Sequence, residues 1–296
     1  MLKLPQNTGS TERMPHDLLP NVVNSPDQEH QPISIELVPG VKMVFCWIPA
    51  GEFRMGSRYN RPTEQPVHRV IIPHDFLLAQ TPVTQEQFAL FDQNHQSYFQ
   101  GKGKEKHPVE SVTWQQAREF CQWLKDLHWP EQLANFEPDL PTEAQWEYAC
   151  RAGTETDYYT GDGEEALARA GWYHGNSNGQ THEVWQPGMS ESDFKTPNAF
   201  GLYDMHGNVW EWSRDVWAEH AYRHHADGRV EAMGNGGGLA KKDERPRVVR
   251  GGSWGDHPWF CRSAFRIRTH PGNWYHFQGF RVGLFPGPSC QEAEPG

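Results

Sequence analysis

The chain has 296 residues, a formal net charge of -11 and 36% hydrophobic residues, with 13 Trp and 15 Phe giving it bulk enough for a core. The acidic balance argues against nucleic-acid binding as a main role, since Lys and Arg drive contacts to the phosphate backbone, and no apolar run reaches bilayer length. With 28 Gly and 23 Pro it reads as a folded, loop-rich protein with few long helices, and the polar start without a signal-peptide core makes the cytoplasm the expected compartment.

Residues 1–32 are polar and aperiodic and are expected to form a flexible arm, followed by one domain over 33–287 and a short tail over 288–296. From Ile33 the stretch ISIELVPGVKMVFCWIPAGEFRMGS alternates apolar and polar residues around Pro-Gly and Ala-Gly turns, which predicts a strand pair leading into a loop. Thr84 with Gln87, Thr113 with Gln116, and Thr142 with Gln145 match the capping-box pattern and predict three helix starts. After Thr113, the apolar residues Ala117, Phe120, Cys121, Leu124 and Leu127 recur at three and four, giving one buried stripe. The helix after Thr142 carries Trp146, Ala149 and Cys150, and Gly153 ends it.

Beyond Gly153 the periodicity dissolves into Gly, Asn, Asp and Trp, and long loops inside a compact domain are usually functional or ion-stabilised. Residues 218–246, with a Gly run and mixed charges, read as a surface insertion. Its His220 and His224 stand at i, i+4 beside His225, a spacing open to metal, although a solvated His/Arg loop is the preferred reading. Cysteines 46, 121, 150, 261 and 290 are odd in number and widely spaced, which predicts reduced thiols, with Cys121 and Cys150 as core fillers.

The segment Arg247 to Leu284 reads RVVRGGSWGDHPWFCRSAFRIRTHPGNWYHFQGFRVGL. An Arg-Gly-Gly-Ser-Trp turn, Arg262, Arg266 and Arg268, and a closing Gly-Phe-Arg enclose a dense set of aromatic and His residues. Rigid rings offer large contact area at low entropic cost, so the segment suits a recognition surface. Arg250, Arg262, Arg266, Arg268 and Arg281 are expected to tie loop carbonyls and carboxylates together beneath it.

FRMGS (53–57), EQPVHRV (64–70), TPVTQEQF (81–88), HPVESVTWQQA (107–117), LPTEAQWEYACRAG (140–153), NAFGLYDMHGNVWEW (198–212), RVVRGGSW (247–254) and GFRV (279–282) occur in one order. Together they resemble the formylglycine-generating enzyme family, also called the sulfatase-modifying factor domain, over roughly residues 35–285. The resemblance implies an α+β fold of the C-type lectin type, with short helices and small twisted sheets. Catalytic members hold copper on two Cys five residues apart after the Gly-Gly-Ser turn; the matching positions are Asp256 and Cys261, and a carboxylate is no substitute for a thiolate on reduced copper. The family's calcium segment matches Asp204 to Glu211, implying Asp204, Gly207, Val209 and Glu211 as candidate ligands for structural calcium, with pairing of Glu211 to a frame Arg as the competing reading.

Within the family, the C-terminal segment resembles ligand-binding variable proteins diversified by retroelements more than it does any enzyme; in these proteins changeable positions sit between constant ones. Gly255, Asp256, His257, Phe260, Phe265, Ile267, Thr269, His270, Tyr275, His276 and Phe277 match the changeable positions, with Trp259 and Trp274 as constant aromatic platforms. The expected function is therefore non-catalytic binding of a protein or other macromolecular ligand through residues 255–277. Two alternatives remain: a formylglycine-generating type of oxidoreductase using Cys261, and an accessory domain with a fixed partner.

Overall fold

Strands β1 (Ile33–Val38) and β2 (Val41–Ile48) pair antiparallel around the Pro39-Gly40 turn, where Gly40 takes a φ of 89°. The computed structural model describes residues 31–58, 61–127, 129–186, 190, 194–224 and 243–287. The N-terminal arm up to residue 30, most of the 218–246 insertion with His225 and the His224 side chain, Cys290 and the tail lie outside the described residues. No helix among the described residues is long and apolar enough to cross a membrane.

After β2 come β3 (Gly51–Met55), β4 (His68–Ile72) and β5 (Phe76–Ala79), then helices α1 (Gln85–Ala89) and α2 (Trp114–Lys125). Strand β6 (Phe136–Asp139) precedes α3 (Glu143–Arg151), and α4 (Glu164–Ala170) leads into β7 (Gly171–Trp172). Strands β8 (His206–Gly207) and β9 (Trp210–Val216), the single turn α5 (Ala221–His224), and β10 (Arg247–Arg250) follow. The chain closes with β11 (Arg266–Thr269), β12 (Gln278–Gly279) and β13 (Gly283–Pro286).

Thr84, Thr113 and Thr142 each form the complete capping box, so α1, α2 and α3 start where the sequence places them. Helix α2 buries Ala117, Phe120, Cys121 and Leu124 of the predicted stripe together with Trp114, whereas Leu127 is only partly buried against the core. Ala152 and Gly153 both take positive φ at the end of α3. The stretch beyond Gly153, expected to be wholly irregular, contains α4. Its seven residues, EEALARA, are good helix formers with Glu at the first turn and Arg at the last, but no side chain caps it, which removes the signal that marked the others.

The strands form a five-stranded sheet ordered β1-β2-β5-β13-β6 and a four-stranded sheet ordered β11-β10-β9-β12, with two two-stranded pairs, β3-β4 and β7-β8. The main core lies where α1, α2 and both larger sheets meet, with Phe88, Phe120, Trp212, Val249, Phe280 and Leu284 all at 1% exposure or less. Successive residues of the four-stranded sheet point to opposite faces. Val249, opposite Trp212 and Ile267, joins this apolar core, while Arg250, opposite Glu211 and Arg266, faces the other way.

That second face is ionic, and α3 supplies its counter-charges. Glu143 and Glu147, one helical turn apart, are both buried. Glu143 takes two charge-assisted bonds from Arg266, at 2.6 and 2.7 Å. Glu147 accepts from Arg151 Nε at 2.9 Å, from the Gly56 amide at 2.9 Å and from Arg250. Glu211 takes three contacts from Arg281, between 2.9 and 3.2 Å, and one from Trp146 Nε1 at 2.8 Å. Glu64 pairs with Arg262 through two bonds of 3.1 Å.

Burial works against ionisation of Glu147, but the Arg151 and Arg250 guanidiniums outweigh it and hold the carboxyl below its ordinary range. A carboxyl depressed in the folded state contributes stability above its unfolded value of about 4.3 and loses it as pH falls through the folded value. Glu147→Gln should therefore cost roughly 3 to 5 kcal/mol at neutral pH, because it removes the carboxylate charge that Arg151 and Arg250 share and leaves Arg250 with only Glu143, 3.7 Å away. Denaturant melts of both chains from pH 7 downward should show this gap narrowing below about pH 4.3; a gap independent of pH would contradict the assignment.

Candidate recognition surface

Residues 251–265 connect β10 to β11, and residues 270–277 connect β11 to β12, so the segment forms two loops on one short strand. The first loop starts at Gly251 and Gly252, with φ of 97° and 73°. A Cβ on Gly252 would lie 2.6 Å from Cys261 Sγ and 2.9 Å from its Cα, so both the conformation and the close approach require glycine. The second loop is pinned to the α2 start: the Ser111 amide donates to Tyr275 O and the Trp114 amide to Pro271 O, each at 3.1 Å.

The Arg frame ties the first loop to its support and fastens the neighbouring segments. Arg250 donates to Phe265 O at 2.5 Å, Arg262 to Trp259 O at 3.1 Å, and Arg266 to Thr63 O and Ala218 O at 3.2 Å. Arg281 donates to Ala79 O at 2.8 Å and Tyr203 O at 2.7 Å. These four are buried, whereas Arg268 is exposed and is not part of the buried frame.

Of the candidate binding residues, Gly255, His257, Trp259, His270, Trp274, Tyr275 and His276 are exposed. Phe260, Ile267 and Phe277 are half-buried against the main core, and Asp256 is half-buried with its carboxylate turned inward to Trp210 Nε1 at 2.8 Å and to Ser253 Oγ. Phe265 is a correction. Expected on the surface, it is fully buried between the rings of Trp210 and Phe260, with the Arg61 and Arg262 guanidiniums over its face. Thr269 is likewise buried, on β11.

Ring contacts gather part of the set. His276 lies beside Trp254 at 5.7 Å, Phe277 at 5.0 Å and Tyr98 at 4.9 Å between centroids, and Tyr275 stacks on Phe277 at 5.2 Å. His257 meets the exposed His174 at 5.3 Å, and the Trp259 ring lies under the Arg262 guanidinium at 4.1 Å. None of the ordered motifs contains Tyr98. Its only sequence signal is a large aromatic pair within the polar run QNHQSYFQGKGKEK.

Neither implied metal fits its donors. Cys261 is fully buried, and burial, reinforced by the nearby Asp256 carboxylate, pushes its thiol well above the ordinary range. With Asp256 committed to Trp210 and Ser253, no second soft donor completes a copper pair there. The calcium set is corrected at Glu211, because Arg281 and Trp146 occupy both of its oxygens. That leaves Asp204 as the one carboxylate among the four implied ligands. Among the described residues, no group of three or more His, Cys, Asp or Glu side chains is placed to hold a metal ion.

A family model described as the sulfatase-modifying factor enzyme 1-like domain matches residues 39–283. The serine/threonine-protein kinase pkn1 of Chlamydia pneumoniae is 31% identical over 274 residues, 85% of this chain and 38% of the kinase. The formylglycine-generating enzyme of Bos taurus is 31% identical over 59% of this chain and 43% of the enzyme, so the chain spans less than half the length of either relative. Among solved structures, Treponema denticola variable protein 1 superposes with a TM-score of 0.67 at 28% identity, covering 86% of this chain and 100% of that one. PvdO from Pseudomonas aeruginosa superposes with a TM-score of 0.65 at 25% identity, covering 82% and 94%. The fold is thus the C-type lectin variant that the ordered motifs implied, and the chain belongs to the sulfatase-modifying factor enzyme 1-like domain family.

Proposed function

We propose that the chain is a non-catalytic ligand-binding protein whose recognition surface is built from residues 255–277, and that this segment is diversified by a retroelement. One observation carries the reading. Within a single segment, Cys261, Arg262, Arg266 and Gln278–Arg281 are buried, while the interspersed Gly255, His257, Trp259, His270 and Trp274–His276 are exposed. A fixed buried frame lets outward side chains change while the backbone that presents them stays in place. The likeness to a variable protein supports the same reading. The ligand class is macromolecular, because the exposed rings lie on loops over a broad surface rather than inside a cavity.

A second reading, an accessory domain with a fixed partner, is favoured by the match to part of the longer kinase relatives. Sequencing this locus in several isolates separates the two. Diversification requires substitutions confined to 255–277, concentrated at the exposed positions, with Arg262, Arg266 and Arg281 unchanged and a reverse-transcriptase gene nearby. A segment constant across isolates would leave the fixed-partner reading standing in its place.

The enzymatic alternative is tested directly on the purified chain. After loading with Cu(I) and removal of excess metal, copper should remain far below one equivalent, and a Cys-containing sulfatase peptide should be left unoxidised under air. Stoichiometric copper together with turnover would sink the binding reading.

A further inference from the structure

The buried and half-buried histidines of the scaffold commit ring nitrogens to hydrogen bonds. His68 Nδ1 lies 3.0 Å from Pro66 O, His95 Nε2 2.9 Å from Glu110 O, His182 Nε2 2.8 Å from Ser177 O, and His206 Nδ1 2.7 Å from Cys261 O. His174 and His257 differ. Both are exposed, and neither ring makes a hydrogen bond with a described residue. The two rings lie together, with centroids 5.3 Å apart and planes inclined at 47°.

Two pinned turns produce this meeting. The His174 amide donates to Asp256 O at 2.9 Å and Ser177 Oγ to Trp254 O at 2.7 Å, so the turn after β7 is sewn to the start of the first loop. On the His174 side, Asn176 Oδ1 accepts from the Tyr173 amide at 2.8 Å and its Nδ2 donates to Gly171 O at 3.0 Å, which closes the turn. On the His257 side, Asp256 is anchored to Trp210 and Ser253, and the His257 carbonyl accepts from the Phe260 amide at 3.0 Å. Backbone fixed on both sides lowers the ordering cost of any ligand that must engage both rings.

Two imidazoles on one tetrahedral zinc ion hold their ring centroids about 5 Å apart, since each Zn–N bond is about 2 Å long. The spacing of this pair matches that value. We infer that His174 and His257 form an open two-histidine site for a divalent transition-metal ion, with Zn2+ as its type. Imidazole nitrogen suits such ions, whereas Mg2+ and Ca2+ take oxygen donors. No group of three His, Cys, Asp or Glu side chains is placed for a metal among the described residues, so the other coordination positions fall to water or to a donor from a bound molecule. Neither Cys261 nor Asp204 takes part, which separates this site from the copper and calcium positions rejected above. The inference goes beyond the recognition reading and stands on the pair alone.

Calorimetric titration of Zn2+ into the untagged full chain tests the site. The background carries His220→Ala, His224→Ala and His225→Ala, because that run offers a second His cluster. One equivalent of Zn2+ should depend on the pair, with His174→Ala and His257→Ala each weakening it by about ten-fold or more. Zn2+ should also raise the melting temperature of the background chain more than that of either variant. In EDTA all three chains should melt together, since both side chains are exposed. Absence of bound zinc, zinc held equally well by both variants, or affinity lost in one variant alone overturns the site, the last because a single imidazole would then be the ligand. None of these results bears on the recognition reading, which the isolate sequences test separately.

Discussion

The pairing of buried guanidiniums with buried carboxylates is the constraint on which the upper half of the molecule depends. Arg250 stands between Glu211 and Arg266 across three strands, and α3 lays Glu143 and Glu147 over that row. Charges taken this far from water are tolerable only when paired, so each member dictates where its partner must be. The register of β9, β10 and β11 and the rotation of α3 are therefore linked. A slip of one residue in β10 would move Arg250 to the apolar face and Val249 to the ionic one.

The same side chains solve a second problem. A segment with short strands and long loops leaves many carbonyls without ladder partners, and buried carbonyls must be satisfied. A guanidinium has five donors, more than one carboxylate needs. The surplus goes to the carbonyls of Thr63, Ala79, Tyr203, Ala218 and Phe265, distant in sequence from their donors, and to that of Trp259, three residues before Arg262. Arginine here does the work that a sheet ladder does elsewhere, which is why an irregular surface is held in one conformation.

Much of this architecture is local and so legible in the chain. The three Thr-x-x-Gln starts are complete within four residues each, and the α2 stripe follows from its spacing alone. The Arg row is legible as a frame, but not its pairings: Arg262 meets Glu64 across 198 residues, and Arg281 meets Glu211 across 70. The fate of Glu211 turned on that pairing, since the same carboxylate would suit calcium if Arg281 were elsewhere. Phe265 and Tyr275 are equally aromatic neighbours of loop residues. Only the fold decides that one fills the space over Arg262 and the other faces water. Tyr98 escaped for the same reason, because its place beside His276 is set by a buried Glu110 rather than by any motif.

The burial pattern also narrows which positions are able to change. Substitution at an exposed site away from caps and pairs usually shifts stability by about 0.5 kcal/mol or less, so Gly255, His257, His270, Tyr275 and His276 are cheap to vary. Phe265 is different in kind, since its removal from a packed site costs roughly 3 to 5 kcal/mol and exposes the face of a buried ion pair. Asp256 is intermediate: a side chain unable to accept from Trp210 Nε1 would leave that indole donor unsatisfied at the edge of the core. A domain built this way separates the side chains that hold its fold from those that are free to change. The separation follows exposure rather than position along the segment, so adjacent residues in the same loop obey opposite constraints.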